Sequence, residues 1–248
     1  MKVHTEFEQG SASWMIARSG IVTASELDAL VSPTWKIRTG EGPKSYMYKK
    51  LAEVWIGGPL PSVQGIFDLE QGKILEEEAK PFYTVTTGET VRNVAFIETD
   101  DRRAGCSPDG LIGDFCGIEI KCPRIDTHIG YLLANEVPGE YLAQIHGSMF
   151  VTGFPRWKFM SYRRNFPPLI LTVERDEEII ATIAEALDVF HEAFDDCMAR
   201  LIEANGGPPN PRNRGLAPFP QKYVMGIDPS AESRDKINMT PRTLEEIV

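Results

Sequence analysis

Asp109, Glu119 and Lys121 are the residues of this chain whose types and spacing most directly suggest chemistry. They lie in residues 104–123, A-G-C-S-P-D-G-L-I-G-D-F-C-G-I-E-I-K-C-P. Glu119 and Lys121 stand two apart in an apolar run flanked by Gly117 and Pro123, and side chains at i and i+2 of a strand share one face. Ile118 and Ile120 then point into a core. Asp109 occupies a Pro-Asp-Gly turn and reaches the same spot if the chain doubles back as a hairpin. Two carboxylates and an ammonium converging on one point suit a hard divalent cation such as Mg2+, with Mn2+ as a substitute, which takes oxygen ligands and keeps several waters. The Ile120 carbonyl would be a further donor, and Lys121 would position or deprotonate one of the waters. The reaction such a set serves is hydrolysis of a phosphodiester. Each signal alone has a plainer meaning: Pro-Asp-Gly is a common turn, and Glu-x-Lys can be a surface ion pair worth little. Their joint occurrence, with an apolar strand between them, favours the metal-site reading.

The elements that must position these residues can be read from spacing. Residues 11–31 read as a short helix, a break at Gly20 and a second helix starting near Thr23, where Thr23 and Glu26 fit a capping box. Residues 32–42 form a loop carrying Trp35, Lys36 and Arg38. Helices are expected over 43–55 and about 66–82, then short β-branched runs at 84–87, 94–98 and 111–112. A helix over 127–135 precedes another from about Pro138 to Gly153. Two strands, 157–162 and 169–173, lead to a long amphipathic helix over 176–204, where Ile179, Ile183, Leu187, Phe190, Phe194, Met198 and Leu201 recur at spacings of three and four. From Asn205 the composition turns rich in Pro and Gly, which reads as a linker and tail over 205–248 behind a catalytic domain of 1–204. Thr240-Pro241-Arg242 marks the start of a last short helix, and the tail is expected to dock on a neighbouring subunit or a partner protein, or else to be disordered.

With 248 residues and 42% hydrophobic content the chain can bury a substantial core. An opening apolar run of the signal-peptide kind and any stretch of membrane-spanning length are both missing from the sequence, so a cytoplasmic protein is expected. The four cysteines lack C-x-x-C spacing and read as reduced, packed thiols. They also lack the clustering of the iron–sulfur RecB-like nucleases. A net charge of −10 argues against a broadly basic nucleic-acid binder. It leaves room for a local cationic channel, because a groove sets its own field.

Ser107-Pro108-Asp109-Gly110 followed by Gly117-Ile118-Glu119-Ile120-Lys121-Cys122-Pro123 resembles the phage lambda exonuclease and YqaJ-type viral recombinase nucleases, a branch of the PD-(D/E)XK superfamily. The likeness extends from about Trp14 to about Leu201. It implies an α/β fold, a restriction-endonuclease-like core with a central mixed β-sheet flanked by helices, followed by a Pro/Gly-rich C-terminal extension. It also implies roles for particular residues. Arg18 and Ser25 match positions that hold the 5′ phosphate of a DNA end, and Ser107 matches another position of that pocket. Gly72 followed by Glu76 matches a glycine–glutamate pair that adds an acidic group to the metal site. Leu69 falls at an apolar wedge near the strand junction. Gln144, in P-G-E-Y-L-A-Q-I-H-G-S-M-F-V-T-G, matches the glutamine of a signature helix facing the active site. Two positions depart from the pattern: Phe67 replaces a phosphate-binding lysine, and Thr127 replaces a basic residue for which Arg124 is the nearby substitute.

The activity implied is digestion of linear double-stranded DNA from 5′ ends in a ring of three subunits, feeding 3′ single strands to a single-strand annealing protein in phage-type recombination. The setting would be a phage or prophage protein in a bacterial host, with no membrane partner. The rival readings are a structure-specific or restriction-like endonuclease of the same superfamily and a non-catalytic DNA-end-binding recombination protein.

Overall fold

A computed structural model describes residues 1–61 and 66–224, with the side chains of 66–74 and of 213 outside that description. Among the described residues there are six α-helices, and nine strands form two mixed sheets. The expectation of one central mixed sheet is therefore met by two. The first runs β1(Lys2–His4)-β4(Phe96–Glu98)-β5(Ala104–Cys106)-β2(Val22–Thr23). The second runs β3(Val91–Arg92)-β6(Gly110–Ile112)-β7(Cys116–Lys121)-β8(Arg156–Ser161)-β9(Leu169–Glu174). β7 is the centre of the second sheet. It pairs antiparallel with β6, placing Gly110 opposite Ile118, and parallel with β8, placing Lys121 opposite Ser161.

That sheet is covered on both faces, which is why β7 is buried almost throughout. On one side Ile118 and Ile120 pack with Ala79 and Tyr83 of α3 (Ile66–Thr87) and with Met160 and Tyr162. On the other, α5 (Gly139–Thr152) packs with Ile145 and Met149 in the main core, beside α6 (Glu177–Ala204). Asp176 caps α6 by accepting from the amides of Glu178 and Ile179, and the helix buries the stripe Ile183, Leu187, Phe190, Phe194 and Met198. Close approach of β7 and β8 needs Gly117: a Cβ there would stand 2.2 Å from the fully buried ring of Trp157. Overpacking of this kind costs about 1–3 kcal/mol. Gly117→Ala is therefore expected to lower the unfolding free energy by that amount and the denaturation midpoint with it, and an unchanged midpoint would contradict the packing described.

Three local expectations are corrected. Residues 84–87 are the last turn of α3 rather than a strand. Thr84 and Thr87 satisfy their hydroxyls on the carbonyls of Lys80 and Tyr83 one turn back, and Tyr83 is buried, so packing overrides β propensity. The second N-terminal helix is a 3₁₀ segment, Ala24–Ala29, and Thr23 ends a strand. The Thr23–Glu26 capping box does not form: the Thr23 hydroxyl donates instead to the Glu26 carboxylate at 3.0 Å.

Beyond α6 the chain folds back on its own helices. The amides of Gly215 and Ala217 donate to the carbonyls of Ile56 and Gly57 at the end of α2 (Glu41–Ile56), and Arg214 donates to Trp55. Gly57 is left-handed there (φ 72°), and a Cβ would meet the Ala217 carbonyl at 2.6 Å. Phe219 packs edge-on against Trp55, and Lys222 and Tyr223 both bond Asp195 of α6. The expected helix after Thr240 lies outside the described residues. The four cysteines are free, and burial pushes the Cys106 thiol up to about 12. Among the described residues no helix is long and apolar enough to cross a membrane.

Candidate active site

The sequence places an Asp in a turn and a Glu-x-Lys on the next strand, and the β6–β7 hairpin closes them together. The Asp109 amide donates to the Ile118 carbonyl at 3.2 Å. Its carboxylate accepts the Ile120 amide at 2.5 Å, where β6 has ended and β7 continues. Gln9 clamps the same turn from outside by donating to the carbonyls of Pro108 and Val94. From β7, Glu119 and Lys121 face α5. Lys121 Nζ lies 2.6 Å from Glu119 Oε1, and Gln144 Nε2 donates to the same oxygen at 2.6 Å. Gln144 Oε1 accepts from Lys121 at 3.5 Å. One turn earlier on α5, the Tyr141 ring lies 5.0 Å from the Lys121 ammonium and stacks on Phe159.

The electrostatics are those of carboxylates short of positive charge. Burial, then the charges of Glu119 and Glu76, push the Asp109 carboxyl well above its usual range. Burial raises Glu119 as well, against the opposing pull of Lys121. For Lys121, burial works downward, but Glu119, Asp109 and Glu76 outweigh it and hold the ammonium above its ordinary value. In this arrangement Lys121 is a cation, which suits orienting and charge neutralisation rather than proton abstraction. Glu76 pairs with Lys80 at 3.7 Å on α3. The charge of Glu76 pushes both Asp109 and Glu119 upward, and among the described residues no group of three or more His, Cys, Asp or Glu side chains is gathered to hold a metal. A buried Glu119 and a half-buried Asp109, both pushed up chiefly by loss of solvent, fit a hard cation that uses one or two protein carboxylates and fills its shell with water and phosphate.

A second constellation lies behind the Asp109 turn. Arg18, at the end of α1 (Ala12–Arg18), donates to Ser107 Oγ at 2.9 Å, Ser25 Oγ at 3.2 Å and Thr23 Oγ1 at 3.4 Å. Its guanidinium lies 4.3 Å from the centre of the Trp14 ring, and the Trp14 indole N–H also donates to Ser107. A guanidinium beside hydroxyls offers the donor types that pair with a carboxylate or a phosphate. Arg18, Ser25 and Ser107 are thus brought together. Arg124 does not join them: it is exposed at the start of α4 (Ile125–Ala134) and pairs with Asp126. The side chains of Phe67 and Leu69 lie outside the described residues.

The sequence reading missed Trp14 as more than a packing residue, together with Thr23, Gln9 and Tyr141. Tyr141 had a signal, since it precedes Gln144 by three on one helix and so shares its face. Trp14 had the same kind of signal towards Arg18, four residues on along α1, but its bonds to Ala95 and Ser107 and those of Gln9 had none, because they bridge more than 80 residues.

The Arg18 group is held from below by Glu26, whose carboxylate accepts from Thr23, Lys49 and Lys50. Burial pushes that carboxyl up, but the two lysines win and hold it at about 2, against an ordinary 4.5. A depressed folded pKa contributes stability that is complete above the ordinary value and drains as pH falls towards the folded one. The melting-temperature advantage of the wild type over Glu26→Gln is expected at neutral pH and should shrink between about pH 4.5 and about pH 2. An advantage that grows on acidification would contradict the pairing.

Residues 13–155 match the model of the YqaJ-like viral recombinase domain. The chain belongs to this family. The YqaJ-like match covers the Arg18 group, the β6–β7 hairpin and α5. An alkaline exonuclease, LHK-Exo, from Laribacter hongkongensis superposes with a TM-score of 0.70 at 28% identity, covering 79% of this chain and 98% of that one. The same enzyme in complex with dAMP matches equally well, at 29% identity. A phage-related exonuclease from Haemophilus somnus 129PT, at 17% identity and a TM-score of 0.58 over 73% of this chain and 96% of that one, shares the fold. No curated protein sequence matches the chain. Family and neighbours together support a nuclease of phage-type recombination on the PD-(D/E)XK-like fold.

Proposed function

We propose that this YqaJ-family chain is a Mg2+-dependent exodeoxyribonuclease, with Mn2+ able to substitute, that digests linear duplex DNA from 5′ ends and leaves 3′ single strands for annealing. The observation that carries the reading is the meeting of Asp109, Glu119 and Lys121 at the open end of the β6–β7 hairpin, with the Arg18 group directly behind the same turn. That the LHK-Exo relative is an alkaline exonuclease with a dAMP complex supports the same reading, since a deoxynucleoside monophosphate is what an exonuclease releases.

Asp109 and Glu119 would hold the cation, with the Ile120 carbonyl as a further donor and Glu76 strengthening the field. Bound there, it would lower the pKa of the attacking water and shield the leaving oxygen. Lys121 donates through Nζ to that water or to a non-bridging phosphate oxygen and offsets the charge that builds on it. Gln144 spans Glu119 and Lys121 and keeps both in register. Arg18, Ser25 and Ser107 bind the 5′ phosphate of the DNA end.

Assembly as a ring-shaped trimer would offset the weak attraction of a chain of net charge −10 for DNA by enclosing it. The 3′ strand would pass to a single-strand annealing protein in the bacterial cytoplasm. Chelation of divalent cations is expected to abolish release of nucleotides from linear duplex, and Mg2+ or Mn2+ to restore it. Cleavage of closed circular duplex under the same conditions would instead select the endonuclease reading.

A further inference from the structure

An apolar groove of about 750 Å³ lies between α2 and α6, on a part of the surface unconnected with the site above. Met47, Leu51 and Trp55 line one wall and Val189, Ala193 and Cys197 the other. Although the chain has a net charge of −10, the charged residues lining the groove are Arg38, Lys44 and Arg200, with no carboxylate among them.

We propose that this groove is the docking site of the chain's own C-terminal segment, residues 240–248. The described chain ends beside it. Phe219 packs on Trp55, and Lys222 and Tyr223 are fastened to Asp195, which lies on α6 between the groove residues Ala193 and Cys197. The sequence T-P-R-T-L-E-E-I-V places Leu244, Ile247 and Val248 at i, i+3 and i+4, the spacing of one helical face. Glu245 and Glu246 lie between them, matching the cationic rim. Leu244 lies twenty positions beyond Val224, a span of up to about 66–72 Å when extended. α2 has 16 residues, a length of roughly 24 Å, so the span is ample. A segment tethered so close meets the groove at an effective concentration in the millimolar range, which favours the chain's own segment over a free one.

The test uses a fluorescein-labelled peptide of residues 238–248, the full chain, and a chain ending at Val224. The peptide is expected to bind the shortened chain saturably and the full chain at least about tenfold more weakly, because the tethered segment competes. Replacing Leu244 and Ile247 of the peptide by Asp, or introducing Val189→Glu in the shortened chain, should each weaken binding at least about tenfold. Val189 is 53% exposed, so that variant should keep its fold; exposed Ala193→Glu serves as a second groove variant if it does not. Shortening should leave the sedimentation mass per assembly unchanged except for the residues removed. The proposal is overturned by any of four results. These are no saturable binding, binding indifferent to the groove variants, equal binding to the full chain as expected of a groove kept open for a partner, and loss of assembly on shortening as expected of a segment given to a second copy. None of these readouts involves DNA cleavage, so its outcome is independent of the nuclease reading.

Discussion

Replacing Lys121 with alanine should lower the rate of nucleotide release from linear duplex by about 10²–10³-fold, the usual cost of removing one donor aimed at developing charge. The ammonium lies 2.6 Å from Glu119 and within reach of Gln144 and the Tyr141 ring, so it is held at the point where the reacting phosphate would sit. Its loss leaves Asp109, Glu119 and the Arg18 group in place. DNA binding, measured with Ca2+ to prevent turnover, should therefore stay within about twofold of wild type. The fold should survive as well, because Glu119 keeps its bond from Gln144 and can take up a proton, the direction in which burial already pushes it. An equal loss of binding and turnover would assign Lys121 to substrate attraction instead, and an unchanged rate would remove it from the reaction.

Arg18→Ala should abolish discrimination between 5′-phosphorylated and 5′-hydroxyl duplex. The guanidinium donates to three hydroxyls, from Ser107, Ser25 and Thr23, and Trp14 backs its plane. A hydrogen bond to a charged group contributes about 1.5–3 kcal/mol, so phosphorylated ends should lose roughly ten- to a hundredfold in initial rate. Hydroxyl ends, which give the arginine nothing to hold, should change little. Should wild type itself degrade the two substrates equally, the Arg18 group is a packing device and the end pocket lies elsewhere.

Much of the site was legible in the sequence because its parts are local. Asp109, Glu119 and Lys121 fall on one hairpin of 13 residues, in which a period of two and a turn signal suffice to predict convergence. Gln144 and the Arg18, Ser25 and Ser107 group came from family resemblance rather than spacing, since α5 and α1 reach the hairpin only through tertiary packing. What spacing could not give is the environment. Nothing in the strand pattern says that Glu119 is 2% exposed or that Glu76 shares its field. The long helices were readable from their stripes, as α6 shows. The short elements were not: 84–87 reads as a strand by composition and becomes helix because Tyr83 must be buried there. Thr23–Glu26 reads as a cap and becomes a side-chain bond because Lys49 and Lys50 of α2 fix the glutamate. The fold-back of 211–224 onto α2 was equally invisible, resting on backbone bonds between residues 159 apart.

The most direct measurement is a time course on linear duplex labelled separately at the 5′ and 3′ ends, with Mg2+ present and closed circular duplex as a companion. If Asp109, Glu119 and Lys121 gather round one cation beside a 5′-phosphate pocket, the 5′ label is released first as mononucleotide. The 3′ label then persists on a long single strand and the circle stays intact. Release of the 3′ label first, internal cuts in the circle, or linear DNA left whole with Mg2+ present would each contradict the account.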